Sequence, residues 1–576
     1  MYISRLLSKR RLSSVPLNPV YGAQCLGVRC YRATGRLRQS PDLKHESDLF
    51  NYTSGRWVYN ENLRQNERQR HFNVSGLKRL AAESVQRNVE DVVHFEKLAE
   101  GGFNCTFLIR MRDGFELVAR IPYPVTEPKQ LLVASEAATM TFLCLHGLPV
   151  PQIYGYSTTV KNAAGTEYIL TEFIRGTNLG DVWNDMTEDH LQNFVTSLVK
   201  LESRLLDITF PTSGSLYFAE DLPAGVKNVP IRTNGPERVP TFCIGPETSF
   251  HLWFGRRSGL QVDRGPFIEP ETVPASGAKK EMAYLQAFGR QLYPFQRIRR
   301  EVFACPKQSP SPHLETLDKY LQVAPSLMSK NNPNLLLPSI RHLDLNPGNI
   351  FVSKDFEITS LIDWQHCSIL PLFLQCGIPK YLENYKDPVC QSLDLPQLPS
   401  KFEELNAEEQ AKEIELLRKR QFHYFYVTAK ASHNKAHLDA LTYEFSAARR
   451  KVYEQSGNSW EGDNITLKFS LIHLVQNWEQ VVGKAETCPI SFTPEEIQEC
   501  LRLEAELREA DAEMQGSKEI LGIGPEGWVP CEHYERVKNA TMEMKADMIA
   551  NAESEMDRDC VRNHYVYDDM DEDEYL

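Results

Sequence analysis

Short apolar runs punctuated by glycine dominate the stretch from residue 93 to 122. Val93–Leu98, Thr106–Met111 and Phe115–Ile121 each read as a strand. Gly101-Gly102 separates the first two, and Asp113-Gly114 is a hairpin turn before the third. The period then changes. Leu131, Leu132, Ala138, Phe142 and Leu145 are apolar at helical spacing, which predicts a helix over 129–146. Two further strands follow, near 152–156 and 167–173, while 75–87 and 188–206 read as helices. Five strands with one inserted helix form a coherent block over 93–174.

Beyond 188 the pattern is mostly helical, over 402–456 and 465–482. Thr493-Pro-Glu-Glu496 opens another helix, with Thr493 as N-cap, Pro494 at N1 and Glu496 at N3. It is expected to run to about Gln515, with Leu503, Leu507, Ala510 and Met514 as its apolar stripe. A Pro- and Gly-rich stretch at 208–277 interrupts the helices. It is rich in aromatics, which disordered segments lack, so it reads as a long ordered insertion. With 576 residues the chain can bury a large core in more than one layer.

The charge is unevenly spread. The first 41 residues hold eight Arg or Lys and no Asp or Glu, with Ser4, Ser8, Ser13 and Ser14 interspersed. That composition is expected of a mitochondrial transit peptide; a disordered basic tail is the plain alternative. Without those eight charges the formal net charge moves from −13 to −21, so a nucleic-acid partner is not expected. The run Asp568–Glu574 is expected to be a solvated acidic tail. No apolar run reaches the ~18 residues of a membrane-spanning helix. Thirteen scattered cysteines without a Cys-x-x-Cys pair point to neither a zinc site nor a disulfide framework.

The most chemically informative segments are Arg341-His-Leu-Asp-Leu-Asn-Pro-Gly-Asn-Ile350 and Leu361-Ile-Asp-Trp364. Between them, Ile350–Val352 and Phe356–Ile362 read as two short strands closing on Asp363. Phosphoryl transfer needs a carboxylate near the acceptor hydroxyl and oxygen ligands for Mg²⁺ on the phosphates. Asp344 can supply the first, and Asn349 with Asp363 the second, since Mg²⁺ prefers hard oxygen donors. The competing reading is ordinary turn composition, with Asp363 as a helix cap.

This pattern resembles the aminoglycoside phosphotransferase branch of the protein-kinase-like fold. His-Leu-Asp stands where protein kinases have His-Arg-Asp, and Ile-Asp-Trp where they have Asp-Phe-Gly. Longer strings, among them Lys97–Asn104 and Phe50–Trp57, are similar to a fungal mitochondrial group within that branch, over roughly residues 45 to 550. The resemblance implies an α+β, two-lobed fold: a five-stranded N-lobe at 93–174 and a mostly helical C-lobe at 175–490. The C-lobe would carry the 208–277 insertion and a catalytic loop at 341–364. An N-terminal extension at 42–92, a helical extension at 491–560 and the acidic tail at 561–576 would flank the lobes. It also implies ATP and Mg²⁺ as cofactors. Gly101, Gly102, Phe103 and Asn104 would form the nucleotide loop, and Glu172 with Ile174 the hinge facing the base. Arg120, in Val118-Ala-Arg-Ile121, is the nearest basic residue where kinases carry Lys, and Glu136 would be its ion-pair partner; a solvated helix residue is the alternative for Glu136. His342 would orient the loop rather than exchange protons. Arginine keeps the charge, but its planar fork prefers paired oxygens. The acceptor would be an unknown hydroxylated small molecule. A kinase-like scaffold without activity is the alternative.

Overall fold

A computed structural model describes residues 46–232, 241–328, 332–483 and 486–576. The expected transit peptide, 1–41, lies outside them. Five antiparallel strands form the first lobe: β1 (Val92–Glu100), β2 (Asn104–Met111), β3 (Glu116–Pro122), β4 (Ile153–Ser157) and β5 (Tyr168–Glu172), in the order β1-β2-β3-β5-β4. Along β3 the pleat sends Leu117, Ala119 and Ile121 to one face, where they are fully buried beneath Leu77 and Ala81 of the Val74–Ser84 helix. The same alternation turns Arg120 to the opposite face. There it meets helix α1 (Lys129–Leu145), which carries Glu136 among largely buried neighbours.

The second lobe is built on helix α2 (Glu188–Leu206), whose Leu191, Phe194, Val195, Leu198 and Val199 are buried. They share a core with Ile350, Val352, Leu361 and Trp364, and with Phe422 and Tyr426 of helix α4 (Ala407–His433). Ile350–Val352 pairs antiparallel with Ile358–Leu361, in the register Ile350 with Leu361. This hairpin carries the His342 and Asp363 segments at its two ends.

The insertion is ordered where it is described. Ser215–Phe218, Phe242–Gly245 and Val229–Pro230 form a three-stranded sheet. Its far boundary lies earlier than the expected residue 277, because helix α3 (Val273–Phe288) already begins at Val273, with Pro274 in its first turn.

Helix α5 (Pro494–Leu521) has the expected capping box of Thr493 and Glu496. It runs six residues past Gln515. Gly516 stands in open space and weakens the helix by only about 1 kcal/mol, and the stop comes at Gly522, whose φ of 69° suits a left-handed cap. The last helix, Glu555–His564, likewise passes the expected boundary at 560.

The acidic tail is only partly solvated: Asp569, Asp571 and Asp573 are exposed, but Glu572 and the neighbouring backbone are packed. Glu572 is 7% exposed and its carboxylate receives the Arg64 guanidinium and the Asn60 amide. Asn60 N donates to Asp569 at 2.6 Å, Tyr575 is buried, and Tyr284 Oη donates to the Leu576 carbonyl at 3.0 Å. A charge run reads as solvated only while its partners are unknown; here Arg64 and Asn60 lie more than 500 residues upstream. The two ends of the chain are also joined by a strand pair, Gly55–Trp57 with Trp528–Pro530.

Candidate active site

His342 ties the two ends of the Ile350–Leu361 hairpin together. Its Nε2 donates to the Ile362 carbonyl at 2.8 Å, while Nδ1 accepts the Asp344 amide at 3.2 Å. Its ring meets Trp364 edge-on at 4.6 Å. Burial holds its pKa below the ordinary value, so the ring is neutral. Both nitrogens are used by backbone, which suits an orienting role. Asn346 Nδ2 donates to Asp344 Oδ2 at 2.6 Å, and Asn349 Nδ2 donates to the Asp344 carbonyl at 3.0 Å. Because Asn349 spends its NH₂ group inward, its amide oxygen is the atom left to coordinate.

Asp363 has φ +66°, a left-handed conformation that Asp tolerates better than most residues. His366 repeats it at φ +59°. The tight coil sends successive side chains to different partners. The Trp364 indole donates to the Leu361 carbonyl at 3.1 Å, Gln365 faces the first lobe, and His366 Nδ1 donates to the Thr248 carbonyl at 2.7 Å.

Arg120 is the centre of the cleft. Its Nη1 donates to Glu136, as expected, so Glu136 is not a solvated helix residue. Its Nη2 donates to Asp363 Oδ1 at 2.6 Å and to Gln365 Oε1 at 3.0 Å. Burial pushes the Glu136 carboxyl up to about 7 against the pull of the guanidinium. Burial also disfavours the charged guanidinium, but Glu136 and Asp363 outweigh it and hold Arg120 above its ordinary value. One fork thus spans carboxylates from both lobes, which a single ammonium does less well.

The glycine turn is short. Gly101 N donates to the Asn104 carbonyl at 2.9 Å, so that amide already has a partner. Gly101 does not take a left-handed φ, and a Cβ on it would meet only an ordinary contact. The Phe103 carbonyl is held by Thr126 Oγ1 at 2.6 Å, and its ring lies 5.6 Å from Phe250 and 5.7 Å from His366. Asn104 Nδ2 donates to Gln365 Oε1 at 2.7 Å; turned over, the same amide accepts from Arg120. Glu172 ends β5 opposite Leu117, and its carboxylate accepts from the Gln152 amide at 3.3 Å.

Two hydrogen-bonded groups result, Asp344 with Asn349 and Arg120 with Glu136, Asp363, Gln365 and Asn104; His342 links their backbones by bonding the Asp344 amide and the Ile362 carbonyl. Three participants escaped sequence reasoning. Gln365 adjoins the motif and carried a positional signal. Thr248 and Phe250, from the insertion, carried none.

The phosphotransferase enzyme family matches residues 94–373. A subtelomeric hrmA-associated cluster protein of Aspergillus fumigatus is 31% identical over 83% of this chain and 97% of its own length. Proteins named altered inheritance of mitochondria protein 9, mitochondrial, are also similar. That of Yarrowia lipolytica is 24% identical over 85% of this chain and 86% of its own, and that of Saccharomyces cerevisiae 22% over 88% and 90%. Among solved structures, the gentamicin–APH(2")-IIa complex matches 72% of this chain and 99% of its own at 11% identity and a TM-score of 0.32. The GDP complex of aminoglycoside 2'-phosphotransferase-IIIa matches 76% and 99% at 13% and 0.32. Similarity at that level adds no argument about the site.

Proposed function

The chain belongs to the phosphotransferase enzyme family, and from that premise we propose that it is a mitochondrial phosphotransferase that moves the γ-phosphoryl group of ATP to a hydroxyl of a small molecule. The observation that carries this reading is that His342 bonds both the Asp344 amide and the carbonyl of Ile362, the residue before Asp363, while the Asn349 amide bonds the Asp344 carbonyl. Asp344 is the carboxylate that accepts or orients the proton of the acceptor hydroxyl. Asn349 and Asp363 offer an amide oxygen and a carboxylate, a donor set that fits Mg²⁺. When bound, the cation neutralises charge on the phosphates; positioning by these residues accounts for the rest of the chemistry. Arg120 is the cation for the α- and β-phosphates, oriented by Glu136. Relatives named as mitochondrial and the acid-free basic start support the location.

One observation favours a second reading. Arg120 grips Asp363, the carboxylate that Mg²⁺ would need. A chain in which that ion pair persists is a kinase-like nucleotide-binding or scaffold protein. Purified protein lacking residues 1–41, incubated with γ-labelled ATP, Mg²⁺ and a mitochondrial metabolite extract, separates the two. Label on a small molecule supports transfer. Stabilisation by Mg·ATP without labelled product supports the scaffold, and neither effect overturns both.

A further inference from the structure

Cys305 and Cys560 are 255 residues apart in sequence, yet their sulfurs lie 3.1 Å from each other. Both are half-buried free thiols, so a small oxidant has access to them. The surrounding segments already hold them in register. Arg297 Nη1 donates to the Tyr565 carbonyl at 2.8 Å, and Arg300 Nη1 lies 3.2 Å from His564 Nδ1. These contacts join the Arg297–Arg300 turn to the end of the Glu555–His564 helix on which Cys560 sits. The loop bearing Cys305 is equally constrained. Ala304 and Cys305 both take left-handed φ, at 55° and 62°, and Cys305 N donates to the Arg300 carbonyl at 2.8 Å. Two successive non-glycine residues in that region are uncommon. The turn places the thiol against the helix, so bonding the sulfurs asks for little backbone movement.

A soft-metal site is the other chemistry that two neighbouring thiols suggest. Among the described residues, no group of three or more His, Cys, Asp or Glu is arranged to hold a metal ion. Glu301 Oε1 is 4.0 Å from Cys560 Sγ and adds a carboxylate without completing one.

We propose that Cys305 and Cys560 are a reversible disulfide pair, oxidised by a hydroperoxide and reduced by thiols. The contact between the two sulfurs, in which either can donate, lowers the Cys305 pKa and raises that of Cys560. Cys305 is therefore the first nucleophile, since the thiolate is the reactive form. Its sulfur attacks hydrogen peroxide: an S–O bond forms, the O–O bond breaks, and hydroxide leaves to become water after taking a proton. Cys560 then attacks the Cys305 sulfenic acid. The S–S bond forms, the S–O bond breaks, and a second water leaves. Two thiols and one peroxide give one disulfide and two waters. The disulfide would fasten the last helix to the body of the second lobe, closing a long loop and stabilising the fold.

The test treats full-length protein with graded hydrogen peroxide, alkylates it, and maps cross-linked peptides without reduction. The expected result is one dominant Cys305–Cys560 cross-link, a thiol count lower by two, and a raised melting midpoint that dithiothreitol reverses. In Cys560→Ser, Cys305 should remain as a sulfenic acid trapped by dimedone. The proposal is overturned if both thiols stay alkylatable while other cysteines oxidise, or if wild-type Cys305 proceeds to sulfinic acid without a cross-link. The wild-type mapping decides the matter even if the serine variant fails to fold.

Discussion

Arg120 Nη2 donates to Asp363 Oδ1 at 2.6 Å while Nη1 of the same guanidinium holds Glu136. The basic residue on β3 and the carboxylate after the Ile350–Leu361 hairpin thus join the two lobes. Asp363 is 40% exposed and Arg120 only 15%, so the pair sits at the boundary of solvent. The guanidinium takes Asp363 Oδ1, so Mg²⁺ at Asp363 would use Oδ2 or compete with Arg120.

Arg120→Lys measures that competition. A lysine ammonium is a point charge and spans two carboxylates poorly. The variant is expected to keep the contact with Glu136, free Asp363 and bind Mg·ATP roughly tenfold tighter, about 1.4 kcal/mol. Calorimetric titration reads it. Binding no tighter than that of the parent would make Arg120 an adapted phosphate clamp.

Asp344→Asn retains shape and removes charge. Mg·ATP stabilisation of the folded state should survive, because that residue does not contact the nucleotide in the proposed arrangement. Phosphoryl transfer should fall by roughly 10²–10⁴-fold, the usual contribution of a positioned acid–base group. Full turnover in the variant would remove Asp344 from its assigned role.

Glu572→Ala leaves the Arg64 guanidinium, 1% exposed, without its tail carboxylate. Glu67 and Glu526 remain beside it and soften the loss. A destabilisation of about 3 kcal/mol is expected, at the lower end for breaking a buried pair. A melting midpoint equal to that of the parent would mean that the tail is dispensable.

Stability should also fall with acid. Burial depresses the pKa values of His313 and His366 to about 4, against an ordinary 6.5. Unfolded chains therefore bind more protons than folded ones between those values. The stability these residues contribute is present above pH 6.5 and is lost as pH falls toward 4, by at most ~1.4 kcal/mol per pH unit for each histidine. Neither ring nitrogen of His313 has a hydrogen-bond partner among the described residues. His313→Leu should therefore raise the melting midpoint at pH 5 more than at pH 7.5. Equal shifts at both pH values would show that His313 does not titrate in this way.

Much of the local architecture is legible in the chain itself. Period-two alternation along β3 already separates Arg120 from Leu117, Ala119 and Ile121, and Thr493 with Glu496 announces a helix start. His342, Asp344 and Asn349 belong to one loop whose turn residues keep them close, and the following hairpin returns Asp363 to their side. Such signals are short-range: steric period, capping and turn chemistry act within a few residues of one another.

Partner choice across long separations was decided only in the folded molecule. Arg120 chooses Asp363, 243 positions away; Glu572 chooses Arg64; the insertion places Thr248 and Phe250 against His366; and Cys305 meets Cys560. Each of these side chains has an adequate solvated state in isolation. What selects the partner is burial, which removes water from the charge or polar group and leaves the nearest complementary group as its replacement. That choice depends on which surfaces the cores bring together. The acidic run at the end of the chain therefore reads as a solvated tail in sequence and is a partly packed strap in the fold.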